Sequence, residues 1–227
     1  MPYILNIDTA INNASVCLSK DDQLISIDIN ENLKDQAAWL QPAIKKLINS
    51  AGIGLKDLNA VAVSIGPGSY TGLRIGLSTA KGLCYALNIP LIAIGTLDMM
   101  AAAAENKNTD LICPMIDARR MEVFTAVYKK NMEKIMSPCA LILNENSFED
   151  LLGNNTILFF GNGSDKFKML PVNNHENAIF ENIEITSSLL IKISNNRFLT
   201  SNFDDIAYVK PLYIKNFIVY QKSLRYN

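Results

Sequence analysis

The sequence carries a single histidine, His175, and that scarcity removes several chemistries at once. One imidazole in an Asn-rich loop cannot build a two-histidine metal site and leaves a hydrolytic triad without its usual general base. Cysteine is sparse too. Cys17, Cys84, Cys113 and Cys139 stand far apart with no C-x-x-C spacing, so they read as buried thiols rather than zinc ligands or disulfide partners. No long apolar run exists: Met99 to Ala104 is the longest, far below a membrane span, and Met1 to Asp8 holds no cationic stretch of the kind a signal peptide needs. A cytoplasmic protein without membrane contact is expected. An excess of charge of either sign is also missing, since 21 Lys and Arg against 22 Asp and Glu leave a net charge of −1. Tight nucleic-acid binding draws on surplus cations, so any RNA role has to be shared with a partner.

What is present is a chain of 227 residues, 49% hydrophobic and 19% charged, long enough to bury a real core and too apolar to be disordered. Tyr3 to Asp8, Ala14 to Ser19 and Gln23 to Asn30 are β-rich runs separated by turn chemistry, which predicts an antiparallel meander. Apolar residues from Ala37 to Ala51 recur at spacings of three and four, predicting a helix over Gln36 to Ala51 whose start is blurred by Pro42. Ala60 to Ile65 and Leu91 to Ile94 are continuous enough to be strands covered on both faces. A helix from about Gly72 to Leu87 lies between them, and another is expected over Thr96 to Glu105.

The polar stretch Asn106 to Asp110 marks a domain boundary. Beyond it the opening recurs. Leu111 to Asp117 ends in Ile-Asp, a polar turn follows, and Glu122 to Tyr128 makes a second strand. A third strand around Ala140 to Asn144, a helix over Ser147 to Leu152, a strand at Ile157 to Phe160 and the Gly161-Asn162-Gly163 turn complete a shorter copy. Two copies of strand meander, helix and strand predict a duplicated α/β protein with a cleft between its halves. Val172 to Asn177 and Asn195-Asn196 read as loops without regular structure.

The most specific stretch is Ser64 to Gly76, Ser-Ile-Gly-Pro-Gly-Ser-Tyr-Thr-Gly-Leu-Arg-Ile-Gly, which leaves a strand and opens a helix. Such a loop suits a phosphate cradle or a purely structural turn, and no Walker lysine or G-x-G-x-x-G pattern decides between them. In the helix that follows, Gly72, Gly76 and Ala80 fall at every fourth position and make one smooth stripe. Each mid-helix glycine costs about 1 kcal/mol relative to alanine. Close approach of a second helix, or of the chain's own sheet, would offset that cost. Leu73, Leu77, Leu83, Cys84 and Leu87 surround the stripe with more apolar surface than one buried face needs, which implies burial on two sides, either by a second protein or, as for most apolar helices, inside the chain's own core.

Asp8 and Asp117 each end a strand ahead of a polar turn, where a carboxylate holds a magnesium ion or, more commonly, caps the turn. Trp39 reads as a core or interface anchor. Lys210, Lys215, Lys222 and Arg225, interleaved with tyrosines, form the one basic patch able to touch RNA.

The run Ala62 to Leu83, together with Ile7-Asp8-Thr9 and Asp117-Ala118-Arg119-Arg120, resembles the TsaB (YeaZ) family, the accessory subunit of the bacterial machinery that makes threonylcarbamoyladenosine beside the tRNA anticodon. The likeness spans roughly Ile4 to Leu97 and thins beyond it to Asp117 to Arg120, Gly161 to Gly163, and Pro211 with Tyr213. It implies an α/β, duplicated actin-like ATPase fold (ASKHA, ribonuclease H-like) with a mixed sheet in each half, an amino-terminal domain 1–105 and a smaller, more divergent domain 106–227. It implies a noncatalytic partner of TsaD, with TsaE docking where the two meet, TsaC supplying the threonylcarbamoyl adenylate, and tRNA reached through the complex. ATP and a divalent metal would belong to those partners, and this subunit would require no cofactor.

Carried onto this chain, the TsaD interface falls on the helices Gln36 to Ala51 and Gly72 to Leu87, with Trp39, Leu40, Gly72, Leu73, Ile75, Gly76, Leu77, Thr79, Ala80, Leu83 and Cys84 as contact residues. The same surface is expected to pair with itself when the chain is alone. Asp8, Thr9, Gly66, Gly68, Asp117 and Arg119 would be a vestigial phosphate loop. The chain departs from its relatives at Gln36-Ala37-Ala38, where His-Ser-Glu is usual, and at Met121, where Gly is frequent. Two rivals share the fold: an ATP-binding or ATP-hydrolysing enzyme acting alone, with Asp8 and Asp117 around magnesium, and an M22-type glycoprotease, which the single histidine disfavours.

Overall fold

Tyr3–Asp8 (β1), Ser15–Lys20 (β2) and Gln23–Ile29 (β3) do form the expected meander, and two parallel strands complete the sheet: Leu58–Ser64 (β4) and Leu91–Ile94 (β5). The structure is a computed structural model that describes residues 1–11, 13–30, 32 and 35–215. The strand order is β3-β2-β1-β4-β5, antiparallel on one side of β1 and parallel on the other. A second sheet is built from Leu111–Asp117 (β6), Glu122–Lys129 (β7), Lys134–Ile142 (β8), Ile157–Phe160 (β9) and Ala178–Phe180 (β10). Its order, β8-β7-β6-β9-β10, repeats the first strand for strand, with the same directions. The duplication read from sequence is therefore a duplication of topology.

Two helices cover the outer face of the first sheet. Gln36–Ser50 (α1) buries Leu40, Ala43, Ile44, Leu47 and Ile48, and Tyr70–Leu87 (α2) buries Gly72, Leu73, Gly76, Leu77, Ala80 and Cys84. Pro42 sits inside α1, on its exposed side, and the helix runs through it because the apolar stripe opposite is seated on the sheet. Thr96–Ala102 (α3) ends three residues before the expected Glu105, where Ala103 and Ala104 tighten to bonds three residues back. Its residues Leu97, Met99, Met100 and Ala101 pack among Ile4, Ala62 and Ile92 of the first sheet and Ile112, Ile116, Tyr128 and Phe160 of the second. One core thus belongs to both halves. On the far face of the second sheet, Phe159 and Phe167 meet edge to face at 5.0 Å beneath Phe148.

Two expectations require correction. The third strand of the second sheet spans Lys134–Ile142, not Ala140 to Asn144, because cross-strand pairs such as Tyr128 with Lys134 and Val127 with Met136 carry it. Register shifts between Thr125 and Tyr128 hide its alternation. Asn195 and Asn196 lie within a helix, Ile191–Leu199 (α6), that follows the short helices Glu149–Leu152 (α4) and Ser164–Lys168 (α5). The segment after Ser187 packs back against the first sheet. Ser187 N–H donates to Ser15 Oγ at 2.7 Å, and Ser194 Oγ donates to Asn6 Oδ1 at 2.7 Å. Asp204 then pairs with Leu91, with its N–H donating to the Leu91 carbonyl at 2.9 Å. The chain returns to the first sheet because that sheet's inner face needs a cover.

Cys17, Cys84 and Cys113 are buried free thiols, and Cys139 is half-buried. Burial pushes Cys17 and Cys113 up to about 12, so they carry no thiolate near neutrality. Asn6 is the polar centre of the α6 attachment, since its Nδ2 also donates to Ser19 Oγ at 3.0 Å. Asn6→Ala is expected to destabilise the chain by about 1–3 kcal/mol, read as a lowered urea midpoint.

Candidate functional site

The Gly-rich loop lies at the carboxyl end of β4, facing the turn that follows β1. Thr9 Oγ1 donates to the Gly72 carbonyl at 2.7 Å, and Ser69 N–H donates to the Ala10 carbonyl at 2.7 Å. A Cβ placed on Gly72 would collide with the Thr9 carbonyl oxygen, and one on Gly76 with Thr9 Oγ1. Gly68 is pressed in the same way against the Ala10 carbonyl, and Gly66, at φ +115°, leaves 2.7 Å between a built Cβ and the Leu212 carbonyl. The stripe Gly72, Gly76, Ala80 is small so that α2 can sit on the chain's own β1 turn.

That placement puts much of the expected partner face inside the chain itself. Leu40, Gly72, Leu73, Gly76, Leu77, Ala80 and Cys84 are all buried within this chain, with Leu40, Ala80 and Cys84 at 0% exposure. Trp39 is half-buried and turned toward β3, where its Nε1 donates to Asp28 Oδ1 at 3.2 Å. Only Ile75, Thr79 and Leu83 of the expected set remain half-exposed on α2. The outward side of that helix differs: Ser78, Gly82 and Ala86 are exposed beside Ile75 and Thr79, and Arg74, Lys81 and Tyr85 flank them along one edge. Gln41 Nε2 of α1 donates to Thr79 Oγ1 at 3.3 Å, and Ala37 and Ala38 extend the surface.

The six loop residues divide in the same way. Gly68, Asp117 and Arg119 line a cleft of about 760 Å³ between the halves, together with the first turn of α2 and residues 212–215. Asp8 and Thr9 are fully buried beneath it. Asp8 Oδ1 accepts from Ser64 Oγ at 2.5 Å and from Ala10 N–H at 3.0 Å, while Oδ2 is buried without a partner. Burial lifts the Asp8 carboxyl above its ordinary value, against the pull of those two bonds. The loop N–H groups of Gly66, Ser69 and Gly72 are spent on Thr96 Oγ1, the Ala10 carbonyl and Ser69 Oγ. The structural turn, not the phosphate cradle, is the reading these bonds support.

Asp117 is differently employed. Burial pushes its carboxyl up, but Lys166 Nζ at 2.6 Å, the Arg119 N–H at 2.5 Å and the Arg119 charge outweigh it and hold the group below the usual carboxylate range. Arg119 and Arg120 both adopt left-handed backbone, with φ of +69° and +49°, in the tight turn into β7. A lysine ammonium already neutralises Asp117, and Asp8 does not reach the cleft, so the pair does not fit a magnesium site. Among the described residues no group of three or more His, Cys, Asp and Glu is placed to hold a metal ion, and no helix is long and apolar enough to cross a membrane.

Sequence reasoning missed residues 212–215, Lys166 and Asn162 as parts of this site. Tyr213 meets Arg74 across 139 positions, so no local spacing could reveal it. Lys222 and Arg225 of the expected basic patch lie outside the described residues.

Two sheets of identical strand order with a cleft at the ends of β1 and β6 define an actin-like α/β protein. Solved structures agree. A Pseudomonas aeruginosa protein described as similar to peptidase YeaZ superposes with a TM-score of 0.80 at 21% identity, covering 95% of this chain and 100% of that one. YeaZ from the same organism gives 0.76 at 22%, with 94% and 100% covered. The nucleotide-bound activator of the 2-hydroxyisocaproyl-CoA dehydratase from Clostridium difficile gives 0.51 at 8%, covering 89% and 99%. These likenesses show the fold alone.

The family model described as TsaD, tRNA N6-adenosine threonylcarbamoyltransferase, matches residues 31–203. The tRNA threonylcarbamoyladenosine biosynthesis protein TsaB of Bacillus subtilis is 37% identical over 126 residues, 56% of this chain and 55% of that protein. Its Escherichia coli namesake is 36% identical over 129 residues, again 56% and 55%. The match thus spans about half the length of those relatives. A TsaB from Buchnera aphidicola is 27% identical over 218 residues, 93% of this chain and 97% of that one. The chain belongs to this family, within its TsaB/YeaZ group.

Two expectations test the site. Gly72→Ala is expected to cost about 1–3 kcal/mol by overpacking against Thr9, whereas Gly82→Ala, where a Cβ meets nothing within 4 Å, is expected to gain about 1 kcal/mol; chemical denaturation measures both. For Asp8 the folded chain holds its proton more tightly than the unfolded one. The stability it contributes is complete below the ordinary value of 3.8 and drains as pH rises through the raised value. Asp8→Asn keeps both accepted bonds, so the variant's stability relative to wild type is expected to climb with pH and then level off in a pH series of denaturant titrations.

Proposed function

We propose that this chain serves tRNA threonylcarbamoyladenosine biosynthesis as a noncatalytic subunit that pairs with TsaD. The names of its relatives support the pathway, and the outward face of α2 supports the role. Ile75, Ser78, Thr79, Gly82 and Ala86 make a small-residue, uncharged strip on a helix whose other side is seated on its own sheet. Such a strip lets another helix come close without burying an unpaired charge. Ala37, Ala38 and Gln41 of α1 widen it. The reading that the chain does no chemistry itself is supported by Asp8 and the Gly-rich loop, whose polar groups are committed to holding α2 in place. TsaE is assigned to the junction of the two subunits, and a homodimer on the same strip is the expected state of the chain alone.

A nucleotide-binding enzyme acting alone is the second reading, favoured by the cleft of about 760 Å³ that brings Arg119 to the first turn of α2. Calorimetric titration with ATP and magnesium separates the two, because binding coupled to turnover by the isolated chain belongs only to the second.

The partner face has a direct test. Gly82→Arg places a charge on the strip without entering the core, and arginine is a better helix former than glycine. Affinity for TsaD is expected to fall about 100-fold or more with the fold intact by circular dichroism. Ala80→Arg, at a buried position, is expected to unfold the chain instead. Undiminished TsaD binding by folded Gly82→Arg would refute the face.

A further inference from the structure

We propose that residues 209–215 act as a releasable clasp across the cleft, fastening the first turn of α2 to the hairpin between β6 and β7 and so setting how far the two halves part. Both walls are held by one short segment. On the first half, Leu212 N–H donates to the Ile65 carbonyl at 2.7 Å, and the Tyr213 ring lies 5.2 Å from that of Tyr70. Arg74 closes this end, donating from Nε to Tyr213 Oη at 3.1 Å while its guanidinium stands 3.9 Å over the Tyr70 ring. On the second half, Lys215 Nζ forms an ion pair with Glu122, the first residue of β7. The Glu122 carbonyl in turn accepts from Ala118 N–H at 3.1 Å and from Lys166 Nζ at 3.2 Å, which ties the clasp to the whole turn.

The two ends are unequal. The first combines a backbone bond with a tilted pair of tyrosine rings; the second is an ion pair whose lysine is 46% exposed, open to screening by salt. Leu212 and Tyr213 are each 41% exposed, so the segment is laid on the surface rather than built into the core. The core around α3 joins the sheets whether or not the clasp is fastened. Release therefore opens the cleft without unfolding the chain, and the second-half end lets go first.

Amide hydrogen exchange on the full chain tests this with Lys215→Glu, Glu122→Lys and the double charge swap. Each single variant is expected to speed exchange about two- to fivefold both in residues 117–124 and in residues 65–74, and the swap to restore the wild-type rates. Raising salt on the wild-type chain is expected to reproduce the single variants. Tyr213→Ala, which detaches the other end, is expected to loosen the same two segments. Unchanged rates in either segment, or loosening that the swap leaves in place, would overturn the clasp.

Discussion

The seating of α2 on the turn after β1 is the constraint from which the other features follow. Glycines inside a helix are costly in isolation, about 1 kcal/mol each in its interior, and Gly72 and Gly76 fall in the first two turns of α2. They persist here because Thr9 occupies the space their side chains would need, and because closeness buries Leu73, Leu77, Ala80 and Cys84 against the sheet. The Thr9 bond to the Gly72 carbonyl and the Ala10 bond to Ser69 then fix where the helix begins. Its start sets the rotation of every later residue, so the strip Ile75, Ser78, Thr79, Gly82, Ala86 faces outward as a consequence of what happens at Thr9.

The same closeness occupies several of the groups that the loop's composition offers to a phosphate. A phosphate cradle needs N–H groups aimed at empty space. Here the N–H groups of Gly66, Ser69 and Gly72 are occupied by Thr96, Ala10 and Ser69, and the glycines face backbone oxygens. Asp8 is a buried group whose carboxyl is raised above its ordinary value by burial and whose Oδ1 holds Ser64 and Ala10, and Asp117 has a lysine as its partner. Groups that would bind a nucleotide's phosphates are used to set a helix.

How much of this was legible depended on the range of the interaction. The meander, the amphipathic α1 and the repeat of Ile-Asp followed by a turn were readable because each is carried by neighbours in sequence. The direction of the Gly72, Gly76, Ala80 stripe was not, since a helix and a sheet both exploit small residues and only Thr9, 63 positions away, distinguishes them. The β8 boundary was misplaced because register shifts break the two-residue period. α6 escaped notice because Asn195 and Asn196 are poor helix formers, held there by Ser194 on Asn6 and by Ile191 in the core. For the site, the glycines and both aspartates were visible as residues, but their roles were set by partners that spacing does not encode.

The topological copies differ in what covers them. The first sheet carries helices of 15 and 18 residues on its outer face, long enough to present a continuous strip to another helix. The corresponding helices of the second half, α4 and α5, have 4 and 5 residues, and the face beneath them is closed by Phe148, Phe159 and Phe167. A surface capped by short turns over an aromatic cluster offers no groove for a partner helix. The long covering helices are therefore concentrated in the first half. The second half contributes the cleft's far wall and the chain that returns through α6 to cover the first sheet from behind. Two sheets of one topology are held together by a shared core around α3, with long helices outside one and short turns over an aromatic cluster outside the other.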